Sequence, residues 1–109
     1  MRVVFHCIDK YLVSQVEKHL DHKKVKLVET RSLEAVRQAI DSQQTKIVII
    51  NFHAPASEWL VEFSKEKQKR VILCSSLTVP ARVGERVDAV VFVNQEGPRL
   101  LEAIVRLLR

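Results

Sequence analysis

Glycine is nearly absent: in 109 residues only Gly84 and Gly97 occur. Glycines let backbone N–H groups close on a phosphate, so two isolated ones exclude a dinucleotide-binding fingerprint and a P-loop. Cysteine is as scarce. Cys7 and Cys74 stand far apart in strand-like apolar runs, which suits buried free thiols better than a disulfide framework. No apolar run approaches the ~18 residues needed to span a bilayer. The opening Met-Arg-Val-Val-Phe-His-Cys-Ile-Asp has too short an apolar region for a signal peptide, and no small-residue cleavage site follows. A cytoplasmic protein with no membrane role is expected.

What remains is an ordinary globular composition, 47% hydrophobic and 28% charged, enough to build one core over a single domain, 1–109. That domain is either free-standing or cut from a longer regulatory protein. The formal net charge of +5 admits an acidic partner, though solubility alone favours a charge of this size.

The chain is organised around Lys46 to Pro55. Ile47 to Ile50 are four unbroken β-branched residues without polar alternation, the pattern of a strand covered on both faces in a parallel sheet. Around it, strands are expected at Arg2–Ile8, Val25–Glu29, Val71–Cys74 and Asp88–Val93. Helical spacing places Leu12, Val13, Val16 and Leu20 on one face of a helix over Lys10–Leu20, capped by Asp9. Ser32 caps a second helix turning Leu33, Val36 and Ile40 inward. Ser57 opens a third, with Trp59, Leu60 and Phe63 as its core face, and Gly97 and Pro98 start a closing helix that buries Leu100, Leu101, Ile104, Val105 and Leu108. Strand and helix alternate throughout, which predicts an α/β fold: a flavodoxin-like five-stranded parallel sheet in order 2-1-3-4-5, with helices on both faces.

Ile-Ile-Asn-Phe-His-Ala-Pro resembles the phosphoacceptor segment of response-regulator receiver (CheY-like) domains, in which an apolar strand ends in Asp and Pro follows four residues later. The resemblance covers nearly the whole chain. It implies a pocket at the strand ends in which two acids hold Mg²⁺, an Asp accepts the phosphoryl group, and a Ser or Thr and a Lys complete the site. Ser75 matches the hydroxyl position, and Val87-Asp88-Ala89 resembles the family's Gly-Ala-Asp segment. The other positions depart from the pattern. Asn51 replaces the Asp, Cys7 and Ile8 replace the acid pair with only Asp9 nearby, and Val93 or Asn94 falls where the Lys should be. Mg²⁺ needs hard oxygen ligands, and Asn offers no nucleophilic oxygen, so the resemblance is to a degenerate pseudo-receiver with no metal, cofactor or enzymatic activity. Leu77 to Arg86, punctuated by Pro80 and Gly84, leaves room for at most about two helical turns, so the fourth helix is expected to be short or absent.

Other chemistries are poorly supported. Cys7, His6, His53 and Cys74 lack close metal-ligand spacing and are read as core thiols and surface imidazoles. Cys7 after a first strand resembles phosphocysteine enzymes and small tyrosine phosphatases, but Ile8-Asp9-Lys10-Tyr11-Leu12 supplies no phosphate-cradling loop. Ser75 and Ser76 have no partners fixed by a motif. Arg2, Lys23, Lys24, Lys46, Lys69, Arg70 and Arg86 lie at or just before strand starts and form a basic rim opposite Asn51, while Arg99, Glu102 and Arg106 mark the outer face of the last helix. The sequence thus reads as a phosphorylation-independent protein-interaction module in bacterial signalling. Its partner is a protein, and a homodimer is open. A nucleic-acid-binding or transcription-regulating domain using the basic rim is the alternative.

Overall fold

The computed structural model describes residues 1–21, 23–92 and 97–108. Five strands and five helices alternate: β1 (Arg2–His6), α1 (Lys10–Glu17), β2 (Lys26–Thr30), α2 (Leu33–Asp41), β3 (Thr45–Asn51), α3 (Ser57–Glu66), β4 (Arg70–Ser75), α4 (Ala81–Gly84), β5 (Ala89–Phe92) and α5 (Gly97–Leu108). All pairings are parallel and the order is β2-β1-β3-β4-β5, as the alternating pattern requires.

β3 lies at the centre because its side chains tolerate no solvent on either face. Ile47 and Ile49 pack with Val3, Phe5 and Ile72 under α1 and α5, while Val48 and Ile50 pack with Val4, Val71 and Leu73 under α2 and α3. Each contributes about 1.5–3 kcal/mol by leaving water. Truncating Ile49 to Ala would cost about 2–5 kcal/mol through the cavity left between sheet and helices. The β1–β3 register shifts between Arg2 and Val3: Arg2 pairs Thr45 and Val3 pairs Ile47, so Lys46 is the extra residue of a bulge at the strand's entry.

The helices depart from the expected faces in instructive ways. α3 buries Ser57, Leu60, Val61 and Ser64, a stripe at helical spacing whose small serines let the helix lie close on the sheet. Ser64 Oγ donates to Leu60 O at 2.7 Å, satisfying its hydroxyl internally. That rotation leaves Trp59 48% exposed rather than in the core, stacked on Phe63 at 5.1 Å with the Arg37 guanidinium over its ring. Leu33 at the first turn of α2 and Val105 on α5 are likewise exposed, because each sits at the margin of its helix's apolar arc. α1 ends at Glu17, short of Leu20: His19 N bonds Val16 O and Leu20 N bonds Glu17 O, three-residue closures that tighten the chain out of the helix. The fourth helix is the single turn Ala81–Gly84.

Candidate functional site

At the C-terminal ends of β1, β3 and β4 the loops converge on Asn51. Its Nδ2 donates to Cys7 O at 3.0 Å, and its Oδ1 accepts from His53 N at 2.9 Å. Both polar atoms of the residue at the phosphoacceptor position are therefore engaged with backbone, holding the loop after β1 against the turn after β3. Ser75, 1% exposed, donates to Leu77 O at 2.6 Å and accepts from Leu77 N at 3.1 Å. With its one proton spent on Leu77, Ser75 faces His53 as an acceptor, so His53 Nε2 donates to Ser75 Oγ at 3.2 Å and lies 3.3 Å from Ser76 Oγ.

The positions that would hold a cation do not fit one. Ile8 is 3% exposed and packs into the core with Leu12 and Leu100. Asp9 caps α1 instead, its Oδ1 accepting from Tyr11 N at 2.7 Å. The Cys7 carbonyl is taken by Asn51. Among the described residues no cluster of three His, Cys, Asp or Glu side chains is placed to hold a metal. Val93 and Asn94, expected at the Lys position, lie outside the described residues.

Two side chains here differ from expectation. His6 is a buried imidazole, 2% exposed, because the last residue of β1 faces inward beside Thr30 of the neighbouring strand. Its Nδ1 lies 3.0 Å from Thr30 Oγ1. Burial lowers its pKa from 6.5, the Arg31 guanidinium adds to the shift, and the Thr30 backbone opposes it. Cys7 is half-exposed rather than a core thiol, its backbone in the left-handed region at φ 55, with Sγ 3.6 Å from His6 Nε2. Cys74 is the core thiol, pushed up to about 12 by burial.

At the opposite end the basic residues do gather at the strand starts, but they are not equally free. Arg70 and Lys65 share Asp88, whose carboxyl also accepts from Val71 N at 2.7 Å. Burial pushes that carboxyl up, yet the Val71 N–H, Lys65 and Arg70 outweigh it and hold the pKa below the usual 3.8. Arg86 grips Glu62 through two bonds of 2.9 and 2.6 Å. Lys69 Nζ donates to Ser42 O at 2.9 Å, and Arg2 reaches Ser42 Oγ at 3.5 Å. Lys23, Lys24 and Lys46 are exposed and make no ion pair among the described residues. On the last helix, Arg99, Glu102 and Arg106 are exposed and border a shallow groove of ≈ 150 Å³ against β5.

Sequence reasoning missed the Asp88 cluster and the clamp on α4, in which Arg82 pairs Glu58 and Arg86 pairs Glu62. A signal for the clamp existed: two acids four residues apart on one helix and two arginines four apart in the Leu77 to Arg86 segment that follows β4.

No known family profile matches the chain, and no curated protein matches it in sequence. Solved structures do match in shape. A CheY-like response regulator receiver domain from Methanospirillum hungatei superposes with a TM-score of 0.75 at 12% identity, over 96% of this chain and 90% of that one. An atypical orphan response regulator, described as having a phosphorylation-independent regulatory mechanism, gives 0.76 at 20% identity, over 100% of this chain and 96% of that one. The pseudo-receiver domain of the CikA protein gives 0.66 at 13% identity, over 99% and 97%. With the strand order, these likenesses show that the chain has the fold of response-regulator receiver domains.

Proposed function

We propose that this chain is a receiver-like protein-interaction module of bacterial signal transduction that works without phosphotransfer. The observation that carries the reading is Asn51, whose amide spends both polar atoms on the Cys7 carbonyl and the His53 N–H. A receiver responds to a new charge at this position, whereas here a neutral side chain bolts two loops together. Incubation with acetyl phosphate and Mg²⁺ is expected to add no phosphoryl mass. A stoichiometric acid-labile adduct would sink the reading.

The docking surface we assign is the basic rim, facing an acidic protein. Its support is the register. Arg2 neighbours Lys26 on one side and Thr45 with the bulged Lys46 on the other, and Ile47 pairs Arg70. Cations thus stand at the starts of four adjacent strands, and although Asp88 covers Arg70, Lys26, Arg2 and Lys46 form a row that self-repels unless an anion covers it. The same row favours nucleic acid as the second reading. Reversing Lys23, Lys24 and Lys46 to Glu is expected to abolish capture of the native partner and leave folding intact, since exposed surface charges rarely change stability by more than ~0.5 kcal/mol. Binding to generic DNA with a steep inverse dependence on salt would favour the nucleic-acid reading. Loss of partner capture on altering Leu77, Arg99 or Arg106, with the reversed rim still active, would place the interface beside α5.

A further inference from the structure

The outer face of α2 and α3 is not used by the proposed function, and its composition runs against packing. α3 turns Ser57 and Ser64 to the sheet, at 7% and 0% exposure, and turns its largest side chain, Trp59, to solvent. Burial in the core would have favoured the reverse, because an aromatic side chain gains far more than a serine by leaving water. The exposed ring is nevertheless held in place. It stacks on Phe63 with only 7° between the ring planes, the Arg37 guanidinium lies 5.9 Å from its centre, and Lys67 Nζ lies 5.5 Å from the centre of Phe63. A side chain ordered before association loses little freedom on association, and Trp and Arg are the residue types that most often anchor protein interfaces.

Charge selects the occupant. A groove of ≈ 380 Å³ opens between the two helices, and its charged borders are Glu34, Asp41, Arg37 and Lys67. Two acids and two bases leave this face without net charge on a chain that carries +5. Asp41 and Lys67 satisfy one another at 2.9 Å. Glu34 and Arg37, three residues apart and both exposed on α2, have no ion-pair partner among the described residues. A surface of one sign would answer one of them and repel the other. A second copy turned about a two-fold axis answers both, since such a contact makes every pair twice: Glu34 of each copy meets Arg37 of the other. Arg37 overlies Trp59, so an axis crossing the helices between Glu34 and Arg37 also brings the two Trp59 side chains together, where they leave water.

We propose that the α2–α3 face is the surface through which two copies of this chain associate, with Trp59 as the anchor and the Glu34–Arg37 pairs setting the register. The inference is independent of the basic rim. Trp59 is the sole tryptophan, so its fluorescence reports on this face and no other. Sedimentation of the native protein at rising concentration is expected to show its mass doubling, with the Trp59 emission moving to shorter wavelength over the same range. Glu34→Arg and Arg37→Glu each set like charges opposite one another and are expected to raise the dissociation constant at least about tenfold. Mixing these two variants restores both pairs and is expected to return a dimer containing one chain of each. A native chain that stays monomeric up to about 1 mM would overturn the proposal and leave the face to a different protein. So would a dimer whose formation leaves the Trp59 emission unmoved, or one that neither charge reversal weakens.

Discussion

The side-chain amide of Asn51 donates to the backbone carbonyl of Cys7 across 3.0 Å, joining the end of β3 to the loop that leaves β1. Asn51→Asp would replace that donor with an oxygen facing an oxygen and leave the carbonyl without its partner. A loss of about 1–3 kcal/mol is expected, read as a lower urea midpoint at unchanged m-value. The variant should still gain no phosphoryl mass, because Ile8 and Asp9 remain committed to the core and to the α1 cap.

The thiols should stay apart. Cys7 follows β1 and Cys74 lies on β4, with β3 between them, two strand spacings or about 9.6 Å. A disulfide needs Cα atoms within roughly 7 Å. Two free thiols per chain are expected after denaturation without reductant, and an intramolecular bridge would contradict the strand order.

His6 makes stability depend on pH in a defined direction. Its folded pKa lies below the 6.5 of an exposed imidazole, so as pH falls from 6.5 towards that lower value the unfolded chain binds a proton the native state does not. Stability should therefore decline on acidification through this window and be insensitive to His6 above it. Urea unfolding at pH 7.5 and 5.5 should show the decline in the unmodified protein and a smaller one in His6→Gln. Asp88 acts at lower pH: its contribution is present above 3.8 and is lost as pH falls through its depressed folded value.

The paired bridges from α3 to α4 are solvent-exposed, so salt should screen them. Replacing Glu58 and Glu62 with Gln is expected to speed amide exchange at Val83 and Gly84 while leaving global unfolding unchanged. Unaltered exchange there would show that Val83, buried at 5% exposure, holds the turn by itself.

What the sequence disclosed follows from how each feature is encoded. An unbroken Ile-Val-Ile-Ile run can only be satisfied inside a parallel sheet, so β3, the alternation around it and the strand order were legible. Helical spacing fixes an apolar arc but not its centre. Ser57 and Ser64 shifted that of α3, and Trp59 came out to solvent. The missing acids were legible in the sequence, but the contacts made by the residues that stand in their places were not. Cys7 adopts a left-handed backbone without glycine to announce it, and the His6–Thr30 contact depends on a pairing between strands far apart in sequence.

The order of the strands also bears on how the chain is made. β1 is flanked by β2 and β3, so these three mutually paired strands, one edge of the sheet included, are made within the first half of the sequence, and β4 and β5 are added afterwards at the other side. A nascent chain stalled after Asn51 holds β1, β2 and β3 but lacks α5, whose Leu100 and Ile104 cover Phe5 and Ile49. The face that α1 and α5 share stays only partly covered until the closing helix arrives, and during synthesis this is where a chaperone would find its target.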